Sequence, residues 1–301
     1  MTSLEATTGL LQEVFPQHPK YLNQDYLEWE YRMAPSGQVI EANLDDEIGR
    51  CGHYAVVPQQ WQIDGVPCVY GLSLNTAVSE RSRGQGVFGY LGRKVVAEAR
   101  ENGYTALVGV ANSESTHGMV NSLGFEMVRQ LPVVVVPSIG RRRTHSYEVG
   151  TEEDICLWLR DSTGPSLPEG GAQRMWDSDE LAWRLADPAH DYRVLLSDDV
   201  GAVVHSASYR GIRIAVIVKV FIRESVGDID ICPLARAACS TLRSPLALYA
   251  GYNPRLLIKG FPLPGKVRPS PLNLIVKCLV DEVNPSSVVP NNFEFLDFDA
   301  Y

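Results

Sequence analysis

The sequence predicts an α/β (α+β) protein in which sheets are flanked by helices and two similar halves follow one another. Two observations carry this. A run of β-formers, Val69 to Val78, leads through a basic, glycine-rich loop into a helix with one apolar face. Landmarks of residues 27–125 then return in order within residues 181–261, and a spacing of about 150 residues marks a duplicated domain, not a solenoid. With 301 residues, 45% of them hydrophobic, each half has enough chain for a core.

Taken in order, the first half opens on Leu27 to Pro35, which holds Trp29 and Tyr31. A strand follows from Gln38 to Leu44, then an acidic turn at Asp45 and Asp46, then a strand-like stretch from Cys51 to Val57. Ile63 to Tyr70 leads into the β-former run ending at Val78. Residues 81–88 (Arg-Ser-Arg-Gly-Gln-Gly-Val-Phe) make the loop. The helix runs from Val87 to Ala99, with Leu91, Val95 and Val96 on one face and Gly103 as the stop. Tyr104 to Asn112 reads as the next strand and Glu114 to Ser122 as a short helix, closed by Leu123, Gly124 and Phe125.

Strand, glycine-rich turn and helix start form an anion site, because unbonded backbone N–H groups and the helix dipole favour a phosphate there. Arg81 and Arg83 add charge suited to a second phosphate, so the loop is expected to hold a pyrophosphate. It is not a Walker loop, since no Gly-Lys-Ser/Thr follows; Gly84, Gly86 and Gly89 do have the spacing of a dinucleotide fingerprint, but no early βαβ unit precedes them. An unrelated phosphate-binding α/β protein stays open as a rival.

Arg81-x-x-Gly84-x-Gly86 after a strand resembles the coenzyme A loop of the GNAT superfamily of N-acyltransferases. The strand ending in Asn112, the helix after it and the closing Leu123, Gly124 and Phe125 follow in that superfamily's order; the resemblance spans residues 20–138. It implies a mixed, mostly antiparallel central sheet flanked by helices, and acetyl-CoA or another acyl-CoA as co-substrate. It further implies that the strand before the loop splays from its neighbour, so that backbone groups at Thr76, Ala77 and Val78 meet the pantetheine arm. Val78 N–H would face the thioester carbonyl, where negative charge develops. Arg83, Gly84, Gln85, Gly86, Val87 and Phe88 would hold the pyrophosphate through backbone N–H groups, with Asn112 and Ser115 beside the pantetheine.

The second half echoes the first. Leu181, Trp183 and Pro188 answer Leu27, Trp29 and Pro35; Tyr192 to Leu196, the turn at Asp198 and Asp199, and Gly201 to Ser206 answer the early strands. Tyr209 to Ile217 answers Ile63 to Tyr70, and Asn253 with Gly260 and Phe261 answers Asn112 and the Gly-Phe pair. No counterpart of the glycine loop follows the strand Arg213 to Phe221, where Glu224, Asp228 and Asp230 would repel a pyrophosphate. The expected organisation is an acyl-CoA-binding domain over 1–138, a linker over 139–150 and a degenerate second copy over 151–301, forming one wall of the acceptor pocket. Arg141 to Arg143 read as a solvated connector, Thr163 to Gly171 as a turn-rich loop, and the tail from Asn291 as a final edge strand with Asp297 and Asp299 on the surface.

Composition narrows the partners. A net charge of −9 argues against nucleic acid as the main partner. No apolar run reaches the roughly 18 residues of a membrane span, and the start lacks the basic and apolar regions of a signal peptide, so a cytoplasmic protein is expected. Six cysteines without a CxxC pair suggest reduced thiols, with no metal.

The implied chemistry is acyl transfer from a thioester to a primary amine. An ammonium must lose a proton before it attacks. GNAT enzymes often carry Tyr five residues before the Phe of Leu-Gly-Phe; Val120 stands there. The candidate catalytic residues are His53, expected to titrate near neutrality facing the acceptor, and His117, on the thiolate side. Trp29, Tyr31, Tyr54, Trp61 and Tyr70 suggest an aromatic pocket suited to a small amine, an aminosugar or a nucleotide-linked sugar. The alternative is a non-catalytic acyl-CoA sensor or partner-binding module.

Overall fold

A computed structural model of the chain describes residues 3–136, 147–161, 171–223, 225–264 and 270–298. Arg141 to Arg143, Thr163 to Gly170, Glu224 and Asp299 lie outside the described residues.

Two helices come first, α1 (Ser3–Val14) and α2 (Gln24–Arg32), followed by three strands, β1 (Ile40–Asp45), β2 (Arg50–Ile63) and β3 (Val66–Val78). After the loop come α3 (Val87–Glu101), β4 (Ala106–Ala111), α4 (Ser115–Leu123), β5 (Glu126–Gln130) and β6 (Val133–Val136). The second half runs β7 (Glu148–Gly150), α5 (Glu152–Asp161), β8 (Ala172–Arg174), α6 (Ser178–Leu185), β9 (Tyr192–Leu196), β10 (Val200–Tyr209) and β11 (Ile212–Ile222). It continues with β12 (Ile229–Asp230), α7 (Ile231–Leu242), β13 (Ala247–Tyr252), β14 (Leu256–Leu257), β15 (Phe261–Pro262), β16 (Asn273–Cys278) and β17 (Phe293–Glu294).

Most of these strands form two mixed, mostly antiparallel sheets, while β12 and β14 pair as a separate two-stranded parallel sheet. One has the order β1-β2-β3-β4-β16-β5, with β8 paired to the far end of β2. The other runs β15-β6-β13-β11-β10-β9-β7. Each has one parallel contact, β3 with β4 and β11 with β13, bridged by α3 and by α7. The sheets also exchange strands across residues 137–150. β16 lies between β4 and β5, Asn273 opposite Ala111 through Cys278 opposite Ala106, while β6 lies between β13 and β15, Val136 opposite Ala247. Both exchanged strands, Val-Val-Val-Val and Asn-Leu-Ile-Val-Lys-Cys, carry the apolar runs that a central position buries.

Three cores result. On α3, Val87, Leu91, Val95 and Ala99 recur at four-residue spacing and pack on Tyr54, Val56 and Leu107; burying Leu91 and Val95 contributes roughly 1.5–3 kcal/mol each. The apolar face of α7 covers β11 and β13 in the same manner. The third core is shared: Leu10, Tyr26 and Leu27 of α1 and α2, Leu72 and Leu74 of β3, Val203 and Val218 of the second sheet, and Phe293 to Phe298 of the tail pack together. Trp29 and Trp183 meet in it face to face, ring centres 5.0 Å apart. Each indole N–H donates to the other residue's carbonyl, at 2.8 and 3.1 Å.

The tail departs from its expected form. It pairs with β13 for two residues, then turns through a 3-10 segment, Phe295–Asp297, inside the shared core. Asp297, expected on the surface, is fully buried, because Lys219 donates to it at 2.7 Å and Trp176 at 3.0 Å. Phe261 also differs from its proposed counterpart, being 69% exposed where Phe125 is buried. All six cysteines are unpaired thiols, and among the described residues no helix is long and apolar enough to cross a membrane.

Candidate functional site

β3 and β4 are in register from Tyr70 opposite Ala106 to Ser73 opposite Gly109, and there the pairing stops, although β3 continues to Val78. The break coincides with a bulge. His53 faces Ala77 and Ala55 faces Leu74, so β3 carries one residue more than β2 across this step. Asn75 takes the left-handed conformation there, with φ of 51°. Ser79 N–H donates to Cys51 O at 2.9 Å, and backbone groups alternate along a strand. Val78 N–H therefore points away from β2 toward the gap beside β4, while Thr76 lies within the bulge itself. Ala77 is aligned with His53 and directs its backbone to β2 instead.

Beyond Val78 the chain makes a short 3-10 turn, Glu80–Ser82, and enters α3 through Gly84 and Gly86, with φ of 76° and 78°. Only glycine takes that conformation without strain, and a Cβ on either would meet nothing within 4 Å, so this backbone lies open. Gly86 caps α3 without a side-chain bond, leaving the first-turn N–H groups of Val87 and Phe88 to an outside acceptor. The two arginines differ. Arg81 is committed: it donates to Asp46 at 2.8 Å, to Ser79 Oγ at 2.8 Å and to Arg50 O at 3.0 Å. The paired guanidinium holds the Asp46 carboxyl down to about 2. Arg83 is exposed and has no side-chain partner among the described residues. Gln85 closes the loop by donating to Arg81 O at 3.0 Å. Arg83 N–H, expected to meet the pyrophosphate, is instead given to Glu80 O at 3.2 Å; the amides that open α3 and the Arg83 guanidinium, unpaired among the described residues, suit a pyrophosphate.

His53 does not titrate near neutrality. It is fully buried; Asn43 Oδ1 lies 2.6 Å from Nδ1 and the Tyr31 hydroxyl 2.9 Å from Nε2. Burial, then the charge of Arg50, push its pKa down to about 3. His53 is thus a neutral core residue that donates to Asn43 and accepts from Tyr31. His117 stands exposed on α4, its Nδ1 accepting from Asn121 at 2.9 Å. It lines an open groove of ≈ 580 Å³ with Thr116, Val120, Asn121, Gln130 and Asn273, at the C-terminal end of β4. Asn112 Oδ1 accepts from the N–H groups of Glu114 and Ser115, at 3.0 and 2.8 Å, and from Ser115 Oγ at 2.9 Å. Both residues therefore shape the turn into α4, and Asn112 Nδ2 makes no hydrogen bond among the described residues.

The expected aromatic pocket is core. Trp29, Tyr31, Tyr54, Trp61 and Tyr70 are all buried, with Trp61 stacked on Tyr70 at 4.5 Å. What the sequence reading missed is a polar network behind the bulge. Asn75 donates to Glu30 Oε2 at 2.7 Å and to the Tyr31 hydroxyl at 2.9 Å, and accepts from the Tyr21 hydroxyl at 2.6 Å. Tyr26 donates to Glu30 Oε1 at 2.9 Å. Beside Glu30, Leu72 and Leu74 is a cavity of ≈ 10 Å³, about one water, closed by Arg174, Trp183 and Leu296 of the second half. A polar Asn inside a β-former run was the available signal, since strands disfavour it and bulges tolerate it.

No family profile matches the chain, and no curated protein matches it in sequence. Solved structures do match. A GCN5-related N-acetyltransferase from Anabaena variabilis superposes with a TM-score of 0.64 at 10% identity, over 92% of this chain and 70% of that one. One from Kribbella flavida gives 0.63 at 14% identity, over 91% and 68%. Saccharomyces cerevisiae N-myristoyltransferase, solved with bound myristoyl-CoA, gives 0.59 at 10% identity, over 91% and 79%.

Proposed function

We propose, from the premise that this chain has the fold of the GCN5-related N-acetyltransferases, that it is an N-acyltransferase moving an acyl group, acetyl first, from acyl-CoA to a primary amine. The observation that carries the reading is the gap where β3 leaves β4, opening directly onto the Gly84–Gly86 loop and the start of α3. In this reading the loop amides and Arg83 hold the pyrophosphate, and Thr76 and Val78 bond the pantetheine arm. The ammonium first gives a proton to water; the neutral amine then adds to the thioester carbon, and Val78 N–H stabilises the tetrahedral oxyanion, which collapses as the C–S bond breaks. His117 protonates the departing thiolate and takes up the second proton that the nitrogen releases through water. The acceptor is a small molecule; aminosugars and nucleotide-linked sugars are the first to screen. The second half supports the fold and walls the acceptor side.

The test is calorimetric titration with acetyl-CoA, comparing the wild type with Gly84→Glu and using 3′,5′-ADP as the control ligand. At φ of 76° a glutamate is strained, and it brings negative charge to the phosphate position. Binding should be lost in the variant and weaker for the control. No binding of acetyl-CoA or longer acyl-CoAs would sink the reading. Val120, standing where the superfamily often has Tyr, favours a second reading, a sensor that binds acyl-CoA without turnover. Binding with no thiol release across a panel of amines would select it.

A further inference from the structure

The second half repeats the gap. β11 and β13 pair from Ala215 opposite Ala247 to Ile217 opposite Tyr249 and then part, while β11 continues to Ile222. A bulge again marks the break, since Val204 faces Ile217 but Val203 faces Lys219. Helix α7 stands where α3 stands in the first half, between the two parallel strands.

Two features of this second site differ, each in the place of one part of the ligand. At the start of α7 the cap is Asp230, whose carboxylate accepts from Cys232 N–H at 2.9 Å and pairs with Lys259 at 3.0 Å. A carboxylate there satisfies the helix terminus as a phosphate would and repels one that approaches. In the gap itself lies the chain's own tail. Glu294 and Phe293 pair with Gly251 and Tyr252. Gly251 N–H is already given to Pro132 O on the β6 side, at 3.1 Å, so the tail occupies the side facing β11. Lys219 of β11 holds it there, 3.2 Å from Glu294 and 2.7 Å from Asp297, and Tyr249 donates to Glu294 at 3.2 Å. The fit is close: a Cβ on Gly251 would lie 2.6 Å from both Glu294 Cα and Phe293 O.

We propose that the second gap is filled from within, Asp230 standing for the pyrophosphate and residues 293–298 for the pantetheine arm. This rests on the acyl-CoA reading of the first gap. The chain then binds one acyl-CoA, and the second site has become an anchor. Lys219 is a positioning residue: it seats a strap whose Leu296 and Asp297 wall the cavity beside Glu30, Leu72 and Leu74.

Hydrogen exchange on the full chain, read with acetyl-CoA stoichiometry, tests this. Residues 293–298 should exchange as slowly as β13. In Gly251→Val they should exchange on the order of tenfold faster or more, with β1 to β3 unchanged; Lys219→Met gives the same readout if the first variant fails to fold. Fast exchange in the wild type overturns the proposal, as does an unchanged tail in both variants. One acetyl-CoA per chain supports it; two overturn it while leaving the first site intact. If acetyl-CoA does not bind, the acyl-CoA reading fails and takes the ligand-mimic claim with it, while exchange still decides whether the strap is seated.

Discussion

Arg81 and Arg83 are two residues apart and carry the same charge, yet they do different work. The Arg81 guanidinium is spent on Asp46, Ser79 and the Arg50 carbonyl, which pin the loop to the β1–β2 turn. Arg83 is left for a ligand. Arg83→Ala should weaken acetyl-CoA binding roughly tenfold, the usual scale for one charged hydrogen bond at an exposed site, and leave the melting temperature unchanged. Arg81→Ala should lower the melting temperature. Titration and thermal melts of both variants check the split, and an Arg83→Ala protein that binds like the wild type would remove Arg83 from the site. The sequence displays the charge of this loop but not which arginine is taken, because Asp46 lies 35 residues earlier. His53 was opaque for the same reason. Its strand was legible, but Asn43 and Tyr31, which occupy its two nitrogens, are 10 and 22 residues away.

At the scale of elements, local pattern carried far. The β-former run, the loop, the amphipathic helix and the strand ending at Asn112 all stand within a few residues of where apolar periodicity puts them. What local pattern does not contain is a strand's neighbour. Nothing in Val133–Val136 says that it joins the second sheet, nor in Asn273–Cys278 that it joins the first. The tail misled for a related reason: alternating apolar and acidic residues read as a solvated edge, until Lys219 supplies a buried partner for the acids. The bulge in β3 is the element on which the candidate site depends, and Asn75 holds it twice, by its left-handed backbone and by its bonds to Glu30, Tyr31 and Tyr21. Asn75→Gly keeps the backbone and loses the bonds. Asn75→Leu loses both. The glycine variant should cost about 1–3 kcal/mol of stability, from buried groups left unbonded, and still bind acetyl-CoA. The leucine variant should lose more stability and weaken binding, because the Val78 amide is no longer aimed into the gap. Urea unfolding and titration on the pair separate these effects; equal binding in both would detach the site from the bulge.

For the whole molecule, Trp29 and Trp183 tie residues of the two halves together: the rings stack and each indole N–H donates to the other residue's carbonyl. The interior also buries two titratable groups whose proton affinities move in opposite directions, His53 in the first half and Glu294 in the second. Glu294 is pushed up to about 7, chiefly by burial, with Lys219 opposing and Asp297 adding to the shift. His53 is pushed down to about 3 by burial and then by Arg50. The raised carboxyl keeps a proton that the unfolded chain releases above its ordinary 4.5, so its contribution is full below pH 4.5 and is lost as pH rises through about 7. The depressed histidine refuses a proton that the unfolded chain takes below its ordinary 6.5, so its contribution is full above pH 6.5 and is lost as pH falls toward about 3. Between those two ordinary values the slopes oppose, each at most about 1.4 kcal/mol per pH unit. Glu294→Gln removes the falling limb, so its unfolding free energy should climb with pH across this window relative to wild type. His53→Gln should tilt the other way. Urea unfolding across the window reads slopes, not levels, so a general loss of stability in either variant cannot imitate the result. A Glu294→Gln curve parallel to the wild type would mean that Glu294 ionises as easily folded as unfolded, which is incompatible with a tail closed inside the shared core.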